Sequence, residues 1–148
     1  MPTVFDETPR RSLLRRFNSL RPEATPLWGK MDAHRMVCHC AVALRLSLHP
    51  EGEIRPRGAL ARWPLNWLVI HVVPWPKGKA EAPRRLLDTE QQSWDEDLAS
   101  LSSLLRTAGE RGADGDWPLN VAFGRISGRD WGALHYKHLD HHLRQFGV

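Results

Sequence analysis

The sequence contains only two cysteines among its 148 residues, too few for a disulfide framework. Cys38 and Cys40 are two positions apart, and on a helix such side chains point about 200° apart, so they cannot share one ion or form a disulfide. We expect Cys40 to be a small buried apolar residue. The low cysteine content and an N-terminus without a signal-peptide pattern predict a protein of the reducing cytoplasm.

Long apolar runs and runs of one charge are also missing. The longest apolar stretch, residues 63–76, contains a histidine and three prolines and is too short to span a bilayer. It favours a buried core helix over a membrane anchor. The net charge of +4 comes mostly from scattered arginines, without a basic run or an aromatic-interleaved motif. A solvated, mildly basic surface is therefore favoured over a nucleic-acid interface, and we expect neither nucleic acid nor membrane as a partner.

Strand patterns and common catalytic motifs are lacking as well. No segment alternates cleanly between apolar and polar residues, and no G-x-S-x-G, P-loop or G-x-G-x-x-G occurs, so catalytic residues stay unassigned. Apolar residues instead recur at helical spacing, with Asp32 and Ser127 as plausible N-caps. The predicted class is all-α, a single domain over 1–148 built as an antiparallel bundle. The predicted helices cover 9–20, 33–48, 59–73 (with a possible break at Pro64), 88–110 and 128–146, and 74–85 forms an irregular crossover.

What the sequence does have is histidine, concentrated in HYKHLDHHLRQF at 135–146. At about 100° per residue, His138 and His142 fall at the centre of the expected buried stripe, one turn apart, where two ring nitrogens can reach one ion. His141 falls at the edge of that stripe. The zinc-protease motif H-E-x-x-H does not apply, because Leu139 stands where its glutamate would be. Two histidines do not make a metal site, and a hydrogen-bonded core pair remains the alternative.

A third ligand would have to come from elsewhere in the chain. His39 is the best placed, because it lies at the edge of the apolar arc and midway along the helix predicted for 33–48. A partly buried, hydrogen-bonded histidine is the alternative at that position. All candidates for the third ligand are the carboxylates and the histidines outside the pair, namely His34, His39, His49, His71 and His135.

Several segments of the sequence are similar to one known family. MDAHRMVCHCAVAL in an early helix and YKHLDHHLRQFGV in the last helix resemble the DinB/YfiT-like superfamily, and LWGKM and PWPKG resemble a small branch of it without assigned activity. The resemblance covers nearly the whole chain and is most specific over 134–148. It implies a four-helix bundle, here with an additional short apolar helix, and commonly a homodimer.

The resemblance also implies a metal site. Members usually hold their metal with one histidine on an early helix and an H-x-x-x-H pair on the last, which gives His39, His138 and His142 in this sequence. Three imidazoles with open positions suit Zn²⁺, Ni²⁺ or Fe²⁺. Relatives include enzymes that use a low-molecular-weight thiol, so the implied function is a thiol-dependent transferase or a hydrolase of small molecules. Substrate contacts or residues that support the metal ligands are then expected at His135, Gln145 and, for an anion, Arg35.

A second function remains open beside this one. The chain shows no obvious general base, and the apolar segment 63–76 could form a dimer face or a ligand pocket. These features favour a non-catalytic, stress-associated binding or assembly bundle whose histidines are structural. DNA binding is the weakest reading, because no docking motif appears.

Overall fold

The computed structural model describes residues 1–56, 58–78 and 90–148, and the regular secondary structure in these ranges is helical. Within these ranges the only strand-like pairing is an isolated bridge between Asn120 and Gly124. The predicted all-α class is therefore confirmed for the described residues. Its helices are α1 (Glu7–Ser19), α2 (Ala33–Leu48), α3 (Leu65–His71), α4 (Trp94–Arg111) and α5 (Gly128–Gln145).

The two helices that carry the clustered histidines begin where their capping residues predict. The Asp32 carboxylate accepts a hydrogen bond from the backbone N–H of Arg35 at 2.7 Å, which satisfies a donor in the first turn of α2. At the start of α5, Ser127 and Asp130 form a reciprocal capping box. Both predicted N-caps are confirmed, and each contributes about 1 kcal/mol to helix stability.

Helix α4 starts later than the predicted beginning at residue 88. Residues 88 and 89 lie outside the described part of the chain, and residues 90–92 are not helical. The Ser93 hydroxyl accepts from the backbone N–H of Glu96 at 3.3 Å, and the Glu96 carboxylate accepts from the backbone N–H of Ser93 at 3.0 Å. This capping box sets the first turn, and sequence periodicity alone did not reveal it.

Helices α1, α2, α4 and α5 bury their apolar faces in one core. Full burial of each leucine or phenylalanine there stabilises the fold by about 1.5–3 kcal/mol. In α4, Leu101 and Leu105 are fully buried, one turn apart on the same face. The fully buried side chains of this core include Leu13, Phe17, Met36, Val37, Leu44, Leu101, Leu105, Leu139 and Leu143.

The apolar segment predicted as one core helix over 59–73 is divided and largely exposed. A single 3-10 turn covers Ala59–Ala61, and Pro64 precedes α3 as its N-cap, so the expected break at this proline is confirmed. The expectation of a buried helix is wrong for most of the segment, because the side chains of Trp63 and Trp67 are 80% and 46% exposed. Among the described helices, none is long and apolar enough to cross a membrane.

Helix α3 and the residues after it are held against α5 by buried apolar packing and by three hydrogen bonds from one lysine. Ile70 is fully buried and packs in a second cluster with residues of α5. The Lys137 ammonium donates to the carbonyl oxygens of Val69, Ile70 and Val73, and a cation there offsets the partial negative charge at the end of α3. These contacts position the chain that follows α3, of which residues 79–85 of the predicted crossover lie outside the described residues.

Candidate metal centre

Three imidazoles from α2 and α5 meet at one point of the bundle. One ligand nitrogen each from His39, His138 and His142 lies within 4.8 Å of the other two. His39 Nε2 and His138 Nε2 are 2.9 Å apart, and the three ring centroids are separated by 4.8–4.9 Å. Nitrogens bonded tetrahedrally to zinc at about 2.0–2.1 Å lie about 3.3–3.4 Å from one another. Small side-chain shifts would thus bring all three within bonding distance of one ion.

The predicted position of the histidines on α5 needs a correction. Leu139 and Leu143 are fully buried and mark the centre of the buried face, whereas His138 and His142 are partly buried. The prediction placed the two histidines at the centre. The buried arc is wider than assumed because α5 contacts α1, α2 and α3 at once. The two imidazoles therefore lie at the edge of the buried face of α5, on the side that faces His39. His39 itself is 3% exposed.

The ring of His142 is oriented by Gln145. The Gln145 side-chain amide donates to the carbonyl oxygen of Trp28 at 2.7 Å, so its oxygen faces the other way, towards His142. That oxygen lies 3.0 Å from His142 Nδ1, which must then carry the proton and donate it. The Nε2 lone pair of His142 is left for the cluster, as in metal sites where a second partner sets the tautomer. The expected role of Gln145 in supporting a metal ligand stays a prediction, which this contact favours.

Gly29 lets the loop before α2 approach the end of α5. Its φ of +80° lies in the left-handed region, which side chains other than glycine rarely adopt. A Cβ at this position would lie 2.8 Å from Gln145 Nε2. The glycine therefore permits the Trp28 carbonyl to receive the Gln145 amide.

The electrostatic environment keeps the imidazoles of α5 neutral. Burial, together with the neighbouring rings of His142 and His39, lowers the pKa of His138 well below its ordinary value of 6.5. Burial is also the main cause that lowers the pKa of His142 to about 4, with His39 adding to it. A metal binds the neutral imidazole, so at pH 7 no proton has to leave these rings before an ion can bind.

Aromatic and cationic side chains flank the cluster on one side. The Trp75 ring centroid lies 6.0 Å from that of His138 and 5.9 Å from that of His141, and Trp28 lies 5.9 Å from His141. The ammonium of Lys77 is 4.6 Å from the centre of the Trp28 ring. Trp28, Trp75, His141 and Lys77 form a rim beside the cluster, and the Lys77 ammonium is its one cation. Sequence reasoning missed the two tryptophans, because both lie in loops whose positions are set by tertiary contacts.

Two residues predicted to assist the site lie away from it. His135 is buried, stacks on Trp131 with ring centroids 5.3 Å apart, and lies 2.8 Å from the Ser47 hydroxyl oxygen. The hydrogen-bond partner of its Nε2 thus lies outside the three-histidine cluster, and its expected role at the site stays a prediction. Arg35 is exposed, with its nearest carboxylate oxygen on Asp32 at 3.9 Å, and its expected anion contact stays a prediction.

Two other histidines considered as ligands pair with carboxylates elsewhere. His71 Nε2 lies 2.6 Å from Asp130 Oδ1, between α3 and the start of α5. His34 Nε2 lies 2.7 Å from Asp97 Oδ2, between α2 and α4. Neither belongs to the three-histidine cluster, so His39 is the third member, as the resemblance implied.

Comparisons with family models, curated proteins and solved structures find no match to this chain. Membership of the DinB/YfiT-like superfamily therefore stays a prediction, carried by the sequence segments that resemble it. The chemistry of the site depends on the three imidazoles and their surroundings.

Replacing Gln145 with leucine is expected to weaken zinc binding about 10- to 100-fold, the usual effect of losing a partner that orients a ligand. The reason is that His142 would lose the acceptor that holds its proton on Nδ1. Competition with a fluorescent chelator measures the affinity. Gln91→Leu, the same change at an exposed position, is the matched control and should bind zinc like the wild type. Equal affinities for both variants would show that Gln145 has no such role.

Proposed function

We propose that this protein binds a divalent transition metal through His39, His138 and His142 and uses it in reactions of small molecules. The reaction class is thiol-dependent transfer or hydrolysis, on a DinB-like bundle. The observation that carries the proposal is the convergence of three imidazole nitrogens, from two helices, within 4.8 Å of one another. Three nitrogen donors leave coordination positions open, which is typical of catalytic rather than structural zinc sites.

The donor set fits a metal in chemistry as well as in spacing. The pKa values of His138 and His142 are lowered by burial, so both rings are neutral at pH 7. Gln145 holds the proton of His142 on the nitrogen that points away from the cluster. When bound, Zn²⁺, Ni²⁺ or Fe²⁺ would supply a Lewis acid that lowers the pKa of a coordinated thiol or water.

The rim beside the cluster supports a small organic substrate. Trp28 and Trp75 offer flat apolar surfaces, and the Lys77 ammonium offers one positive charge. An apolar wall with a single cation suits a small molecule that carries an anionic group. In this proposal the rim residues bind and orient the substrate, and no residue is assigned as the general base.

Cobalt-loaded protein provides the test. The variant Cys38→Ser/Cys40→Ala removes the protein's own sulfur ligands, so an added low-molecular-weight thiol becomes the only source of a thiolate-to-cobalt band in the near ultraviolet. We expect this band on thiol addition, or metal-dependent hydrolysis of a chromogenic ester, and the loss of both on His142→Ala. A folded, cobalt-loaded protein that shows neither activity nor thiol binding would contradict the enzymatic proposal.

The exposed apolar segment supports a second candidate, a non-catalytic binding or assembly bundle. Trp63, Trp67 and Val72 are 80%, 46% and 58% exposed, and large exposed apolar groups mark interaction surfaces. The resemblance implies a homodimer, and we propose that this surface is its interface. Sedimentation equilibrium should show a dimer that Trp67→Asp converts to a monomer. A wild-type monomer at micromolar concentration would argue against the dimer.

A further inference from the structure

A second group of metal-binding side chains lies between α2 and α4. His34 and Cys38 are one turn apart on α2, and Asp97 faces them from α4. His34 Nε2 lies 2.7 Å from Asp97 Oδ2, and Cys38 Sγ lies 3.3 Å from the same oxygen. One ligand atom from each residue lies within 4.8 Å of the other two. Imidazole, thiolate and carboxylate are the three side-chain donors that zinc takes in proteins.

This group is separate from the three-histidine cluster although both use α2. Cys38 and His39 are consecutive, and consecutive side chains on a helix point about 100° apart. Cys38 faces Asp97 of α4, whereas His39 faces His138 of α5. Each pair of helices therefore encloses its own group of donors.

Neighbouring groups hold the three donors in place. The backbone N–H of Gln92 donates to Asp97 Oδ2 at 3.0 Å, which fixes one carboxylate oxygen. The ring of Trp94 meets the His34 ring edge-on, with centroids 5.7 Å apart. The Cys38 residue is 4% exposed, while the side chains of His34 and Asp97 are 23% and 15% exposed. The group thus has a buried thiol on one side and access for an ion and a water on the other.

We propose that His34, Cys38 and Asp97 form a second zinc site that joins α2 to α4. Tetrahedral ligands at about 2.0–2.3 Å from zinc lie about 3.3–3.7 Å apart. The observed 3.3 Å between sulfur and oxygen already falls in that range, and the nitrogen and oxygen at 2.7 Å need to separate by less than 1 Å. In the metal-free protein the Cys38 thiol and His34 Nε2 both donate to Asp97 Oδ2. On zinc binding the thiol proton passes to solvent and the imidazole proton moves to Nδ1 of the same ring, without any oxidation.

The position of this site indicates a structural role. It bridges the N-terminal half of α2 to the first turn of α4, close to the capping residues Asp32 and Ser93 of these helices. Because zinc binds only the arrangement in which both helices are in place, it stabilises their packing. The helix that it would hold in place also carries His39. The proposal stands without the enzymatic function, since its ligands are different residues.

Cobalt binding tests the proposal, because only a site with a thiolate ligand produces an intense near-ultraviolet charge-transfer band. We expect two equivalents of cobalt and this band for the wild type. Cys38→Ser should lose the band and one equivalent. Cys40→Ala, which removes the other buried thiol, should keep both and is the matched control. His138→Ala/His142→Ala should lose one equivalent and keep the band, which separates the two sites.

Asp97→Asn provides the second variant, should Cys38→Ser fold poorly. It keeps the size of the side chain and removes its charge, so we expect at least a tenfold weaker cobalt affinity for the band-forming site. Circular dichroism confirms the fold of each variant before titration. Absence of the band in folded, reduced wild-type protein, or its persistence in Cys38→Ser, would overturn the proposal.

Discussion

Replacing His39 with alanine is expected to weaken zinc binding at the three-histidine site by about 10²-fold or more. Apparent binding energies of about 10–16 kcal/mol for structural zinc, spread over its four ligands, assign roughly 2.5–4 kcal/mol to each. His39 is the member of the three-histidine cluster on α2, and without it an ion there would keep only the two imidazoles of His138 and His142. Isothermal titration in the Cys38→Ser background measures this site without a contribution from the proposed second one.

The control for this prediction is His49→Ala. His49 follows the last turn of α2, is exposed, and lies outside both groups of donors, so its loss should leave zinc affinity unchanged. Because His39 is buried, alanine leaves a cavity, and His39→Leu is the second variant that fills it. Wild-type affinity in both folded variants would show that His39 does not hold the metal.

Acidification from pH 6.5 to pH 4 is expected to remove about 3 kcal/mol of unfolding free energy through His135 alone. Burial lowers the pKa of this imidazole from the ordinary 6.5 to about 4. Between these values His135 is protonated in the unfolded chain but neutral in the folded chain, so the free energy of unfolding falls as the pH falls. Above pH 6.5 neither state is protonated at this position, and below pH 4 both are, so the effect is confined to this window.

The contacts of His135 decide which variant tests this prediction. The Ser47 hydroxyl donates to the carbonyl oxygen of Leu44 at 2.7 Å and accepts from His135 Nε2. Ser47 keeps the first bond in His135→Phe, and the new ring can stack on Trp131 as the imidazole does. Urea unfolding of metal-free protein at several pH values measures the difference between wild type and variant.

We expect the wild type to lose up to about 1.4 kcal/mol more per pH unit than His135→Phe across this window, the value for one proton. His138 and His142 also have lowered pKa values and add to the acid sensitivity of both proteins, so only the difference belongs to His135. His49→Phe, at an exposed histidine, should leave the slope unchanged. Parallel curves for wild type and His135→Phe would contradict the prediction.

The features that could be predicted from the sequence depend on neighbours within about one helical turn. Asp32 and Ser127 mark the beginnings of α2 and α5, because a capping side chain reaches only the first backbone donors of its own helix. His138 and His142 are four residues apart, and any helix brings such a pair onto one face. The same spacing brings His34 and Cys38 onto one face of α2, but it does not predict that Asp97 of another helix lies beside them.

The sequence by itself determined the helical class of this protein, the caps of α2 and α5 and the spacing of histidines along α5. Only the tertiary structure decided which side chains meet across helices, namely His39 with His138, Asp97 with Cys38, and the tryptophan rim with the cluster. It also left α3 largely at the surface, where its composition predicted a core helix. The physical reason is that hydrogen bonds within a helix are local, whereas the burial of a face depends on how many neighbours pack against it.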